Sequence, residues 1–290
     1  MYGLICNDSI SLVGHSLFLN FRYALYNILQ KENFKNVYSV NDLDQITHLF
    51  IIDEHFAPNV NIWKSGEFIA RLNDKNIKTL VFNFESIYNS PYRIDNICHQ
   101  KFLEQTNNLI QFLSDVDDYE SLKSFKKGPF INRQYLSKDT YVKSRSSNTE
   151  KIKDKILFIG QAGGHVYARR QETLKKVSDI LNLEIVITDR KLTYDQFLEK
   201  LASYQFILNP LGTGYFLNLR YYEILKLNNT PIQQITSKML DVLPELKQNY
   251  SVNFVEPDEL RNINLLEFEQ NKTPLYLEDY LKDNKLLDLL

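Results

Sequence analysis

Cysteine is scarce: Cys6 and Cys98 are the only two in 290 residues. Two are too few for a disulfide framework, and their spacing matches no metal-ligand pattern, so both read as free thiols in a reducing compartment. No window approaches the ~20 apolar residues that a membrane span requires. The opening MYGLICNDSISLVGH lacks the basic start and the apolar run of a signal peptide. Together these absences predict cytoplasmic residence and no integral membrane contact. Charge of one sign is missing too. With 34 Lys and Arg against 36 Asp and Glu, the net charge of −2 gives the whole chain no electrostatic reason to collect on nucleic acid or anionic lipid. There is no tandem short repeat. No Asp-x-Asp pair ends a predicted strand, and Asp115, Asp117 and Asp118 fall at a polar helix end where solvation is expected. No metal is therefore predicted.

What is present describes a soluble globular chain, since 43% hydrophobic residues accompany 24% charged ones. Its length allows two domains with separate cores. Tyr2 to Cys6 reads as a strand. After Gly14-His15-Ser16 a helix is predicted from Leu17 to Lys31, with Ser16 as its cap. Val37 to Val40 is a short strand candidate, and His48 to Ile52 (HLFII) is a continuous apolar run typical of a central parallel strand. A helix from Ile62 to Leu72, a strand from Thr79 to Phe84 and a helix from Phe102 to Leu113 follow. Strand and helix alternate, which predicts an α/β domain with a parallel sheet. In such sheets ligands bind at the carboxyl ends of the strands, which singles out His15, Asp53, Glu54, His55 and Glu85.

A basic, polar tract from 121 to 154 reads as a linker, and the alternation then restarts. Lys155 to Gly160 is a strand, QAGGHVYARR a turn, and Arg170 to Leu181 a helix. Glu184 to Thr188 and Tyr194 to Ala202 are the next strand and helix. The stretch from Phe206 to Ile232 supplies a strand, a Pro/Gly turn, a helix carrying Arg220 and Glu223, and a strand opening at Pro231. Ser251 to Val255 closes the sheet. The predicted domains are 1–120, the linker 121–154, 155–272, and a terminal helix 273–290.

Two turns in the second half suit an anion. Gly160, Gly163 and Gly164 let the chain approach a ligand closely, and Arg169 and Arg170 open the following helix, where the dipole already favours negative charge. Basic residues oppose that dipole unless an anion is bound. Asn209, Pro210, Gly212 and Gly214 precede a second helix, on which Arg220 offers a fork to a diphosphate and Glu223 an acceptor for ribose hydroxyls. The plainer alternative makes Arg220 and Glu223 a helix surface pair.

The pattern F-x-L-x-P-x-G, R-x-x-E-x-L, P-I, carried by Phe206, Leu208, Pro210, Gly212, Arg220, Glu223, Leu225, Pro231 and Ile232, resembles the donor-binding core of exostosin-type glycosyltransferases. Phe216 to Glu223 is also similar to the phage DNA glucosyltransferases. The resemblance covers roughly the second half of the chain. It implies the GT-B architecture, two Rossmann-like domains facing a cleft, with the terminal helix crossing back to the first domain. It also implies a nucleotide diphosphate sugar as donor, with UDP favoured, a hydroxyl-bearing acceptor (glycan, small molecule or DNA), and a base in the first domain. His15, Glu85 and Asp53 are the three candidates for that base. The helix lacks an acid between Gly214 and Leu219, which departs from the retaining pattern and favours inversion. A DNA acceptor is one alternative; a non-catalytic nucleotide- or glycan-binding protein is another.

Overall fold

The computed structural model describes residues 1–5, 29, 34–52, 65–82, 101–113, 115–122, 130–131, 150–164, 167–187, 192–212, 214, 217–247, 250–268 and 279. They form two compact α/β units, one made of the described residues up to Ile131 and the other of those from Glu150 onward.

The first unit is built on a parallel sheet of β1 (Tyr2–Ile5), β2 (Lys35–Asn36), β3 (His48–Ile52), β4 (Lys78–Phe82), β5 (Leu109–Leu113) and β6 (Phe130–Ile131), in the order β2-β1-β3-β4-β5-β6. β3 and β4 are buried along four of their five residues each, as apolar runs covered on both faces must be. Helix α1 (Gly66–Asp74) starts where the Ser65 side chain accepts from the Phe68 N–H, and it turns Phe68, Ile69 and Leu72 into the core. On the other face the Phe82 and Phe112 rings stack at 4.3 Å.

Several expectations are corrected here. Val37 to Val40 is not a strand. The Asp42 carboxylate accepts from the Tyr38 and Ser39 N–H groups and the Ser39 hydroxyl, so Val40–Gln45 turns into a 3-10 helix and the strand is confined to Lys35–Asn36. The helix predicted through Leu113 ends at residue 105. Asn73 takes both the Gln105 carbonyl and the Asn107 N–H at 2.8 Å, which stops the helix and leaves LIQFL free to pair as β5. Asp115 is fully buried rather than solvated. Its Oδ1 accepts from the Asp117 N–H at 2.8 Å at the start of helix α2 (Val116–Leu122). Phe130–Ile131, within the stretch read as linker, pairs with β5 at the sheet edge.

The second unit holds β7 (Ile152–Gly160), α3 (Ala168–Ser178), β8 (Leu183–Ile187), α4 (Tyr194–Ala202), β9 (Tyr204–Asn209), α5 (Leu219–Lys226), β10 (Thr230–Gln234), α6 (Ser237–Val242) and β11 (Val252–Phe254). Its parallel sheet runs β8-β7-β9-β10-β11. Counted within each unit, both sheets therefore share the order 2-1-3-4-5 of a doubly wound fold, the first with one strand more. In that order the connections diverge between strands 1 and 3, which here are β7 and β9, and open a crevice at their carboxyl ends. Alternation predicted this class of fold, and the observed sheets have it. Among the described residues no helix is long and apolar enough to cross a membrane.

Candidate anion-binding site

Two arginines meet at the carboxyl ends of β7 and β9. Gly160 ends β7 with φ +153, a conformation that side chains rarely adopt. A Cβ on it would lie 2.6 Å from both Nη1 and Nη2 of Arg220. The glycine is thus what lets a guanidinium from α5 lie against the end of β7. Gly212 does the same for the other arginine: a Cβ there would lie 2.9 Å from Arg170 Nη2. Each arginine is carried by one strand-helix unit and rests against a glycine at the end of the neighbouring strand.

Both sit in the first turn of their helix, where neither helix carries an acid. Their charge therefore adds to the positive end of the helix, an unfavourable placement unless an anion is bound. Burial makes this more costly. Arg170 is 7% exposed, and burial together with the charge of Arg220 pushes its pKa down to about 10, so it is still charged at neutral pH. Arg220 is half-buried as a residue, but its Nε and Nη1 are sealed from solvent, and burial depresses its pKa while Glu223 and Tyr167 oppose the shift.

The hydrogen bonding is incomplete. Arg170 Nη1 donates to the Gln161 carbonyl at 2.7 Å, and its guanidinium lies 4.7 Å from the centre of the Tyr167 ring. Tyr167 in turn donates to Gln161 Oε1 at 3.2 Å, which fixes the turn between β7 and α3. Arg220 lies 5.9 Å from the Phe158 ring and 5.7 Å from the Phe197 ring. Arg170 Nε and Arg220 Nε and Nη1 have no hydrogen-bond acceptor among the described residues. Buried donors of this kind normally have partners, and a guanidinium without one is a poor contributor to stability. An anion with several oxygens would supply acceptors to both.

Glu223 is only 2% exposed, so the surface-pair alternative for Arg220 and Glu223 does not hold. Asn209 and Pro210 are buried and Gly214 is covered, whereas Gly163, Gly164 and Arg169 are exposed. Gly164 has φ +82 and its carbonyl accepts from the Tyr167 N–H at 3.2 Å, closing the turn. Of the predicted pair Arg169 and Arg170, it is Arg170 that turns inward. His15, Asp53 and Glu85 lie outside the described residues, as do Glu54 and His55. The described strands lead toward them in sequence: Asp53 directly follows β3, and Glu85 comes three residues after β4.

Apart from Asn209, sequence reading missed the amides that hold this site. β10 is buried at all five positions of TPIQQ, and two adjacent glutamines in a covered strand were the available signal. Asn209 Nδ2 donates to Gln233 Oε1 at 2.7 Å and to Asn218 Oδ1 at 3.2 Å. Asn218 caps α5 by accepting from the Tyr221 N–H. Gln233 Nε2 donates to the Gln234 carbonyl at 2.6 Å, and Gln234 Oε1 accepts from both Leu211 N–H and Thr173 Oγ1 at 3.2 Å. The chain of amides runs from α3 across β10 and β9 to the first turn of α5.

No protein-family model matches the chain, and no curated protein matches it. Solved structures similar to it include an α1,3-fucosyltransferase with GDP, at 13% identity over 94% of this chain and 82% of that one, with a TM-score of 0.48. Another, an α1,3-fucosyltransferase with GDP-fucose, is 11% identical over 90% of this chain and 75% of that one, with a TM-score of 0.47. Neither lends a residue assignment to this chain.

Proposed function

We propose that this protein is a glycosyltransferase of GT-B type that moves a sugar from a nucleotide diphosphate donor to a hydroxyl acceptor, with inversion and without a metal. The observation that carries the reading is the pair Arg170 and Arg220, whose guanidiniums rest against Gly212 and Gly160 and hold buried N–H groups with no acceptor among the described residues. A diphosphate is an anion of the right kind: it is planar-fork compatible at each phosphate and extended enough to serve two guanidiniums. It is also the leaving group whose charge grows as the bond to the sugar breaks.

In the proposed step the acceptor oxygen attacks the anomeric carbon, its proton passes to a base, and the bond between that carbon and the diphosphate oxygen breaks. Arg170 and Arg220 meet the charge that develops on the departing diphosphate, in surroundings where water does not screen it. Glu223 favours the charged form of Arg220 and is the acceptor proposed for the ribose hydroxyls. His15, Asp53 or Glu85 is the proposed base.

A thermal-shift screen with UDP, GDP, CDP and dTDP tests the donor site and identifies its base. Transfer assays with the matching nucleotide sugars then test turnover, in chelator as well as in divalent metal. Raised Tm with a diphosphate, lost in Arg170→Ala and Arg220→Ala, is the expected result. Unchanged binding in both variants would sink the site, while tight binding with no turnover on any acceptor would favour a binding protein on the same fold.

A further inference from the structure

Gln234 is the last residue of β10 and is 8% exposed. A glutamine at the end of a covered strand needs partners, and this one uses a single oxygen to join two elements. Its Oε1 accepts from the backbone N–H of Leu211, in the turn that leads to Gly212, and from the hydroxyl of Thr173, one turn along α3 from Arg170. Gly212 is the glycine against which the Arg170 guanidinium rests, with no room for a Cβ between them. One carbonyl oxygen therefore holds both sides of that contact: the turn that carries the glycine and the helix that carries the arginine.

The contact matters because Arg170 has few other restraints at its charged end. Nη1 is held by the Gln161 carbonyl, and Nε has no acceptor among the described residues. A guanidinium held by one hydrogen bond, the Tyr167 ring 4.7 Å away and a close glycine is aimed in part by whatever fixes that glycine. The other half of the amide chain, Gln233, Asn209 and Asn218, reaches α5 and Arg220.

We propose that Gln234 is a positioning residue, which sets the direction of Arg170 by tying the Leu211-Gly212 turn to α3 through Thr173. The inference rests on the reading of this site as a diphosphate site. Gln234 touches no ligand itself; its effect reaches the anion only through Arg170.

The test compares Gln234→Met, which keeps the length and loses the acceptor, with Thr173→Val, in wild-type and Arg170→Lys backgrounds. Affinities for inorganic pyrophosphate, UDP and GDP are measured by calorimetry on the full chain. Loss of a buried acceptor should weaken binding about tenfold in Gln234→Met, and about threefold in Thr173→Val, which removes one of the two donors. Both losses should shrink to under about twofold once Arg170 is already replaced, because residues acting through one group are not additive. Should Gln234→Met fail to fold, Thr173→Val carries the same comparison. Equal losses in both backgrounds would show a merely structural glutamine and overturn the proposal. So would unchanged affinity in a folded variant, with the diphosphate site intact. A wild-type protein that binds none of the three probes would remove the diphosphate reading itself, and this inference with it.

Discussion

Replacing Gly160 by alanine perturbs the site at the point where its two strand-helix units touch. The added Cβ would stand 2.6 Å from both terminal nitrogens of Arg220 and 2.9 Å from Cζ, where ordinary contact begins at 3.4 Å. The guanidinium must therefore retreat by about 0.8 Å, and it is the far end of a long side chain, so it can move without unfolding the protein. Backbone cost comes in addition. At φ +153 an L side chain is strained by roughly 1–3 kcal/mol. At about 2 kcal/mol and 2–4 °C for each, Tm should fall by roughly 4–8 °C. Misplacing a binding group by nearly 1 Å should weaken nucleoside diphosphate binding by about tenfold to a hundredfold. Differential scanning fluorimetry and calorimetry on the purified variant read the two effects separately. Gly164→Ala offers a comparison, because φ is +82 there but nothing lies within 4 Å of its Cβ. It should lower Tm by a similar amount and weaken binding less. Gly66→Ala, at the open first residue of α1, should leave binding as it is. If Gly160→Ala binds diphosphates within about twofold of wild type, the close approach of Arg220 to β7 is not what organises the site.

Further outcomes follow from individual charges. Arg170→Met removes a buried cation with a donor that has no acceptor among the described residues, so it should hold or raise Tm while abolishing the ligand-induced shift; a large Tm loss would mean the arginine is structural. Glu223→Gln should weaken nucleoside diphosphates more than inorganic pyrophosphate if the carboxylate serves the ribose, and equal losses would refute that role. Lys151 donates to the Leu227 and Asn228 carbonyls at 2.9 and 3.0 Å and to Asn229 Oδ1, capping the far end of α5. Lys151→Met should lower Tm by several degrees, since charge-assisted bonds contribute about 1.5–3 kcal/mol each in favourable cases; an unchanged Tm would refute the cap. Glu184 accepts from Lys200 at 2.8 Å and from Tyr204 at 2.5 Å, and these bonds lower its pKa. Its contribution is present above the ordinary carboxylate pKa and is lost as pH falls through the lowered one, so the Tm difference between wild type and Glu184→Gln should close on acidification. Lys200, raised by the same bond, gives the mirror case and loses its contribution as pH rises through its raised pKa. A difference that stays constant with pH would contradict the pairing.

Local chemistry explains how much was legible without coordinates. Apolar runs such as HLFII and ILFIG announce covered parallel strands, because only a strand buried on both faces needs no polar positions. The helix read from Ile62 begins instead at Gly66, where Ser65 caps it, and Thr193 caps the helix that starts at Tyr194; both signals are contained in a few residues. Where such reasoning failed, a distant partner decided. Asn73 ends a helix about thirty residues away and turns LIQFL into a strand, and no periodicity within LIQFL records that.

The sequence by itself determined the alternation, the two halves and the residue types suited to a diphosphate: glycines at strand ends, and arginines in first turns of helices. Only the tertiary structure decided which arginine of 169 and 170 turns inward, and that Arg220 lies against Gly160, sixty residues earlier in the chain. It also joined Gln234 to Thr173 and Leu211. The physical reason is the order of the strands. Pairing β7 with β9, rather than with β8 alone, places the ends of two separate strand-helix units side by side. Local propensity sets each unit, whereas their adjacency is a property of the folded sheet.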